Sequence, residues 1–159
     1  MGRRLNPWLI TLVAILWGCQ PKESPEQVAL DYLFTEYWSQ PWGEGATLHG
    51  VGPEKADRHH RALRKGHSAL PQGIMDRVLE KMDTTVSLEG MVSEDFPVVL
   101  QEGMPLYSSG KWLLRVYPAI QYDDHWWVHV DVEQVHLGYY HYLLQLNDRA
   151  SEVVEVYRK

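Results

Sequence analysis

Apolar residues recur first at helical and then at strand spacing along the chain. Leu30, Leu33, Phe34, Tyr37 and Trp38 fall on one helical face. Ser24-Pro25-Glu26-Gln27 precedes them as a helix start: the Ser24 side chain can accept from the Gln27 N–H, and Pro25 gives up no bond at the first helical position. The spacing predicts a first helix over 25–39, ended by Pro41, Gly43 and Gly45. A second helix is expected over 53–65, with Ala56, His60 and Leu63 on one side and basic residues on the rest. A third is expected over 71–82, where Ile74, Met75, Val78, Leu79 and Met82 form an apolar stripe. After Asp83 the period changes to two, and strands are predicted over 84–92, 96–101, 111–121, 125–135, 139–146 and 152–158. Their short connections predict antiparallel pairing. Helices first and strands after make an α+β fold, with N-terminal helices packed on a curved antiparallel sheet that could close as a cone.

The residues ahead of this domain follow another pattern. Met1 to Arg4 holds two arginines and no acid, and Trp8 to Gly18 holds no charge. A basic start followed by a short apolar run is the layout of a secretory signal. The run is about half of the ~20 residues that a spanning helix needs. Leu16-Trp17-Gly18-Cys19 follows, and then Gln20-Pro21-Lys22-Glu23-Ser24. This segment resembles the lipobox of bacterial lipoproteins: Leu16, Gly18 and Cys19 match, while Trp17 stands where a smaller residue is usual. The resemblance implies transfer of a diacylglyceryl group to the Cys19 thiol, cleavage before Cys19 and acylation of the new amino group. It further implies an outer-membrane location facing the periplasm, since Gln20 is not the aspartate associated with inner-membrane retention. Expected boundaries are a signal peptide over 1–18, a lipidated linker over 19–24 and one domain over 25–159.

Composition narrows the classes. The chain has 159 residues, 45% of them hydrophobic, one cysteine and a formal net charge of −6. One cysteine allows neither an internal disulfide nor a zinc-finger ligand set, and the acidic balance argues against a nucleic-acid partner. Cleavage before Cys19 would remove Arg3 and Arg4 and no acid, leaving 141 residues with 13 basic against 21 acidic side chains, a net charge of −8.

Three segments carry candidate chemistry. From Asp123 to Glu133, strand alternation puts Asp123, His125, Trp127, His129, Asp131 and Glu133 on one face and Trp126, Val128, Val130 and Val132 on the other. The second set reads as core. The first reads most simply as a solvent-facing strand. If it faced a pocket instead, His129 and Asp131, about 6.6 Å apart along the strand, could share a metal or act as acid and base. Next, Asp57 to His67 is the one strongly basic stretch, and Arg58, Arg61 and Arg64 could dock on an anionic surface; a solvated amphipathic helix is the simpler reading. Lastly, Trp42, in the Pro-Trp-Gly-Glu-Gly turn, and Trp127 are aromatic candidates for a ligand or interaction surface, against a general expectation that aromatics fill the core. No phosphate loop, dinucleotide fingerprint or nucleophile elbow is present. No cofactor is expected.

The order of elements, together with the opening Pro-Glu-Gln-Val-Ala-Leu-Asp-Tyr-Leu segment, resembles the nuclear-transport-factor-2-like (cystatin-like) superfamily, which includes ketosteroid isomerase and many small envelope lipoproteins. An enzyme of that kind would use an acidic base and a Tyr donor, roles that Asp131 and one of Tyr139, Tyr140 or Tyr142 could take, but no spacing selects them. The leading expectation is a membrane-anchored envelope lipoprotein with a small non-catalytic binding or interaction domain, held by the lipid on Cys19 and meeting a ligand, another envelope protein or an anionic surface. A ketosteroid-isomerase-like enzyme or a metal-binding domain using His129 and Asp131 is the alternative. A structural subunit of an envelope complex is a third.

Overall fold

The structure, a computed structural model, describes residues 23–38, 48–51, 70, 72–82, 85–89, 91, 98–101, 112–134 and 138–158. Helix α1 spans Pro25–Tyr32 and continues as a π-helical turn over Leu33–Tyr37. Ser24 is extended, and its Oγ accepts from the Gln27 N–H at 3.2 Å. The Trp38 N–H donates to the Leu33 carbonyl at 2.7 Å, which closes the wider last turn. Ala29, Leu30, Leu33 and Trp38 are buried along this helix. Helix α2 spans Gln72–Lys81 and buries Ile74 and Val78, with Met82 just beyond its end. The segment expected as a helix over 53–65 lies outside the described residues.

The strands are β1 Leu48–Val51, β2 Val98–Gln101, β3 Trp112–Val116, β4 Ile120–Tyr122, β5 His125–Gln134, β6 Gly138–Leu146 and β7 Val153–Arg158. They form one open sheet in the order β2-β1-β3-β5-β6-β7, with β4 pairing against β5. Strands β3 to β7 pair antiparallel, and with the helices they make an α+β fold. Two expectations are corrected. Strand β1 was not foreseen, and it runs parallel to both β2 and β3. A parallel neighbour requires a long crossover, and the connection from β1 to β2 is long and contains α2. Among the described residues of the strand expected over 84–92, none is in a strand: residues 85–88 carry no regular structure and turns follow at Glu89 and Met91. Leu88 is buried there all the same, and Val86 N–H donates to the Val116 carbonyl at 2.8 Å. The segment packs beside the sheet without joining it as a strand: Thr85 and Leu88 are buried, and Val86 lies against the α1-side core.

The segment expected as one strand over 111–121 is two. Val116 faces Val130 and Tyr117 N–H donates to the His129 carbonyl, yet Ile120 faces Trp127. Pro118 offers no N–H to the ladder, and one extra residue is taken up between Tyr117 and Ile120. This bulge keeps Tyr117 and Ile120 on the same face although they are three residues apart. The next hairpin turns on Asp123 and Asp124 alone, since Tyr122 pairs with His125. Both aspartates are left-handed, with φ of 50° and 61°, as a tight two-residue hairpin loop of this hand requires.

Each face of the sheet is covered. One face buries Trp112, Leu114, Val116, Val128, Val130, Val132, Tyr142, Leu144 and Leu146 against α1. The other buries Tyr117, Ile120, Trp127 and Leu143 against Leu70, Ile74, Val78 and Met82. Helix α2 lies close over β4: a Cβ on Gly73 would fall 2.5 Å from the Tyr122 hydroxyl. No helix among the described residues is long and apolar enough to cross a membrane.

Candidate functional site

The central strands set a group of polar side chains on the face that α2 covers. In β5 the odd-numbered residues from Trp127 to Glu133 point to this face, while Val128, Val130 and Val132 are fully buried on the other. The reading of the odd-numbered face as solvent-exposed is therefore corrected: His129, Asp131 and Glu133 are buried, Asp131 completely. Asp123 and Asp124 do not share this face, because they form the exposed turn ahead of the strand.

Antiparallel register brings the remaining members. Asp131 faces Arg115 on β3 and His141 on β6. His141 Nδ1 donates to Asp131 Oδ1 at 2.5 Å. His129 Nε2 lies 2.8 Å from the same oxygen, but it is off the direction of an aligned hydrogen bond, and His129 Nδ1 has no aligned partner either. The Tyr117 hydroxyl donates to the other carboxylate oxygen, Oδ2, at 2.9 Å. The His129 ring is held by stacking: Tyr117 lies parallel to it with ring centres 4.7 Å apart, and His141 lies on it at 5.8 Å. Beside this group, Arg115 forms a buried ion pair with Glu133 at 2.9 Å.

Burial pushes the Asp131 carboxyl up, but the imidazoles of His129 and His141 set against it outweigh burial and hold the group well below the usual carboxylate range. Burial also pushes the Tyr117 phenol up, as do the charge of Asp131 and the hydrogen bond to it. Asp131 is thus an anion and Tyr117 a neutral donor, each fixed by the other. His129, Asp131 and His141 each offer one ligand atom, and these atoms lie within 4.8 Å of one another. The arrangement can hold a proton between imidazole and carboxylate, or a cation in its place.

Of the residues singled out in the sequence, His129 and Asp131 are brought together. Trp127 is buried in the α2-side core, where it packs near Tyr157 and its indole N–H reaches the Tyr122 carbonyl at 3.4 Å. Tyr140 and Tyr142 lie on the α1 side, opposite Val132 and Val130, and so on the face away from Asp131. Cys19, Trp42, Arg58, Arg61 and Arg64 lie outside the described residues. Sequence reasoning missed His141, Tyr117 and Arg115. His141 carried the same signal as His129, a polar residue at an alternating position in an apolar strand, but its partner is set by cross-strand register. Surface clefts lined by Arg77, Gln121, Tyr122, Asp123 and Asp124, and by Glu80, Lys81 and Trp126, include none of the three clustered residues.

Comparison with family models, with curated proteins and with solved structures finds no match for this chain.

Proposed function

We propose that this protein is a lipid-anchored lipoprotein of the bacterial cell envelope, whose small α+β domain binds a ligand or partner rather than turning over a substrate. The observation that carries the anchor is the basic start, the uncharged run from Trp8 to Gly18 and the chain's single cysteine at Cys19. One acyl chain binds a membrane reversibly, at about 0.8 kcal/mol per buried methylene; a diacylglyceryl group plus an amide-linked chain would hold the domain permanently. An outer-membrane location facing the periplasm, and contact with another envelope protein or an anionic surface through Arg58, Arg61 and Arg64, belong to the same reading. So does the likeness to the nuclear-transport-factor-2-like superfamily, with its curved sheet; the order of helices and long antiparallel strands supports it.

The geometry favours binding over general-base catalysis. Both oxygens of Asp131 are engaged, by Tyr117 and by His141, and the carboxylate is a weak base because its pKa is held down. An isomerase of the ketosteroid kind needs a carboxylate free to take a proton and a separate hydroxyl aimed at the developing oxyanion. Here the hydroxyl nearest Asp131 donates to Asp131 itself.

The anchor is tested in cells with a fatty-acid probe. The wild-type chain should be labelled and recovered with membranes, and Cys19→Ser should lose the label and be released. An unlabelled wild-type chain, or a variant that stays membrane-bound, overturns this reading in favour of an uncleaved apolar anchor.

A further inference from the structure

We propose that His129, Asp131 and His141 form a binding site for one zinc(II) ion per chain. The proposal deepens the reading of the domain as a binding module and adds the chemical class of what is bound.

Four observations carry it. First, three side chains of metal-ligand type, two imidazoles and one carboxylate, converge with ligand atoms inside 4.8 Å. Second, their side chains are only 2%, 1% and 8% exposed for His129, Asp131 and His141. Third, His129 is deeply buried, and its Nε2 lies 2.8 Å from Asp131 Oδ1 without the alignment of a hydrogen bond. Buried polar groups are nearly always satisfied, and an orphan in a native core calls for an explanation such as an ion. Fourth, the Tyr117 hydroxyl donates to Asp131 Oδ2, while His141 Nδ1 and His129 Nε2 meet Oδ1. Such a hydrogen bond from outside the ligand set fixes the orientation of a ligating carboxylate.

The donor set selects the ion. Magnesium and calcium take oxygen ligands in six- to eightfold shells, and two imidazoles suit them poorly. Zinc accepts nitrogen and oxygen together, and three protein ligands leave a fourth position for water or a ligand. The ion would take the place of the Nδ1 proton that His141 donates to Asp131, with the ring then carrying its proton on Nε2, so that two metal bonds replace one hydrogen bond. The three ligands stand on adjacent strands of one ladder, β5 and β6, where the Asp131–His141 pairing fixes their spacing without any loop. An ion-paired His-Asp-His triad with no metal is the competing account. It explains why Asp131 is charged, but it leaves His129 Nε2 beside Asp131 Oδ1 without an aligned hydrogen bond.

The test uses the full-length, untagged protein in detergent, stripped with a chelator and then titrated with zinc(II), magnesium or calcium. One zinc per chain should be taken up, and the thermal unfolding midpoint should rise with zinc and not with the other two ions. His141→Gln should weaken zinc binding by about 100-fold or more, and Tyr117→Phe, which keeps the stacked ring, by about tenfold. His125→Ala, at the hairpin end of β5, should leave it unchanged. No stoichiometric uptake together with no midpoint shift in the wild-type chain overturns the proposal whatever the variants do. So does zinc binding that survives His141→Gln or is lost in His125→Ala. If His141→Gln fails to fold, Tyr117→Phe and the wild-type titration still decide. The outcome is independent of fatty-acid labelling at Cys19, so the metal site and the anchor stand or fall separately.

Discussion

Asp131 is fully buried and charged, with two imidazoles on one oxygen and a phenol on the other. Removing one partner of a buried charged group strands the others, which costs more than the group's net contribution. Asp131→Ala should therefore destabilise the fold by about 3–5 kcal/mol in denaturant unfolding. A loss below ~1 kcal/mol would mean that water reaches the cluster. The alternation of His129 and Asp131 against Val128, Val130 and Val132 was legible, because strand side chains alternate by geometry. That the polar set is the buried one was not, because alternation gives two faces and cannot say whether one of them is solvent. Here both faces are covered, and Asp131 is tolerated because Tyr117 and His141 donate to its two oxygens.

At the scale of elements, the β4–β5 connection depends on backbone hand. Asp123 and Asp124 both have positive φ, a conformation glycine adopts without strain and other residues at some expense. Asp124→Gly should raise stability by about 0.5–1 kcal/mol, read as a higher midpoint of thermal unfolding with the register of β4 on β5 retained. A fall in stability would show that the Asp124 side chain makes a contact worth more than the relief of strain. The two described helices follow their sequence signals closely: the Ser24 cap and Pro25 start α1, and the Ile74, Val78 and Met82 stripe is the buried side of α2. Strand β1 escaped because Leu48-His49-Gly50-Val51 is too short to show a period and contains a glycine. The break at Pro118 escaped because the apolar run continues across it; only pairing to β5 shows that one residue is extra.

At the scale of the whole molecule, the sheet separates two cores. Leu114 belongs to the α1 side and Leu143 to the α2 side, and both are buried. Each Leu→Ala substitution should cost about 2–5 kcal/mol. The double variant should lose the sum to within about 0.5 kcal/mol, because the two side chains share no core partners. A strongly sub-additive result would indicate that the two sides unfold separately. The polar cluster sits in the second core, beside Trp127 and Leu143. Burial there is what turns ordinary strand residues into a site.

Taken alone, the sequence determined the period of the elements, the start of α1, the buried stripe of α2, the all-apolar face of β5 and the layout of the first nineteen residues. These are local properties, set by spacing, caps and charge order within a few turns of chain. Tertiary structure alone decided that β1 and β2 run parallel to β3, that helices cover opposite faces, and that His141 and Tyr117 meet Asp131. Those outcomes depend on which strands become neighbours and in what register, and register is fixed by packing between residues far apart in the chain.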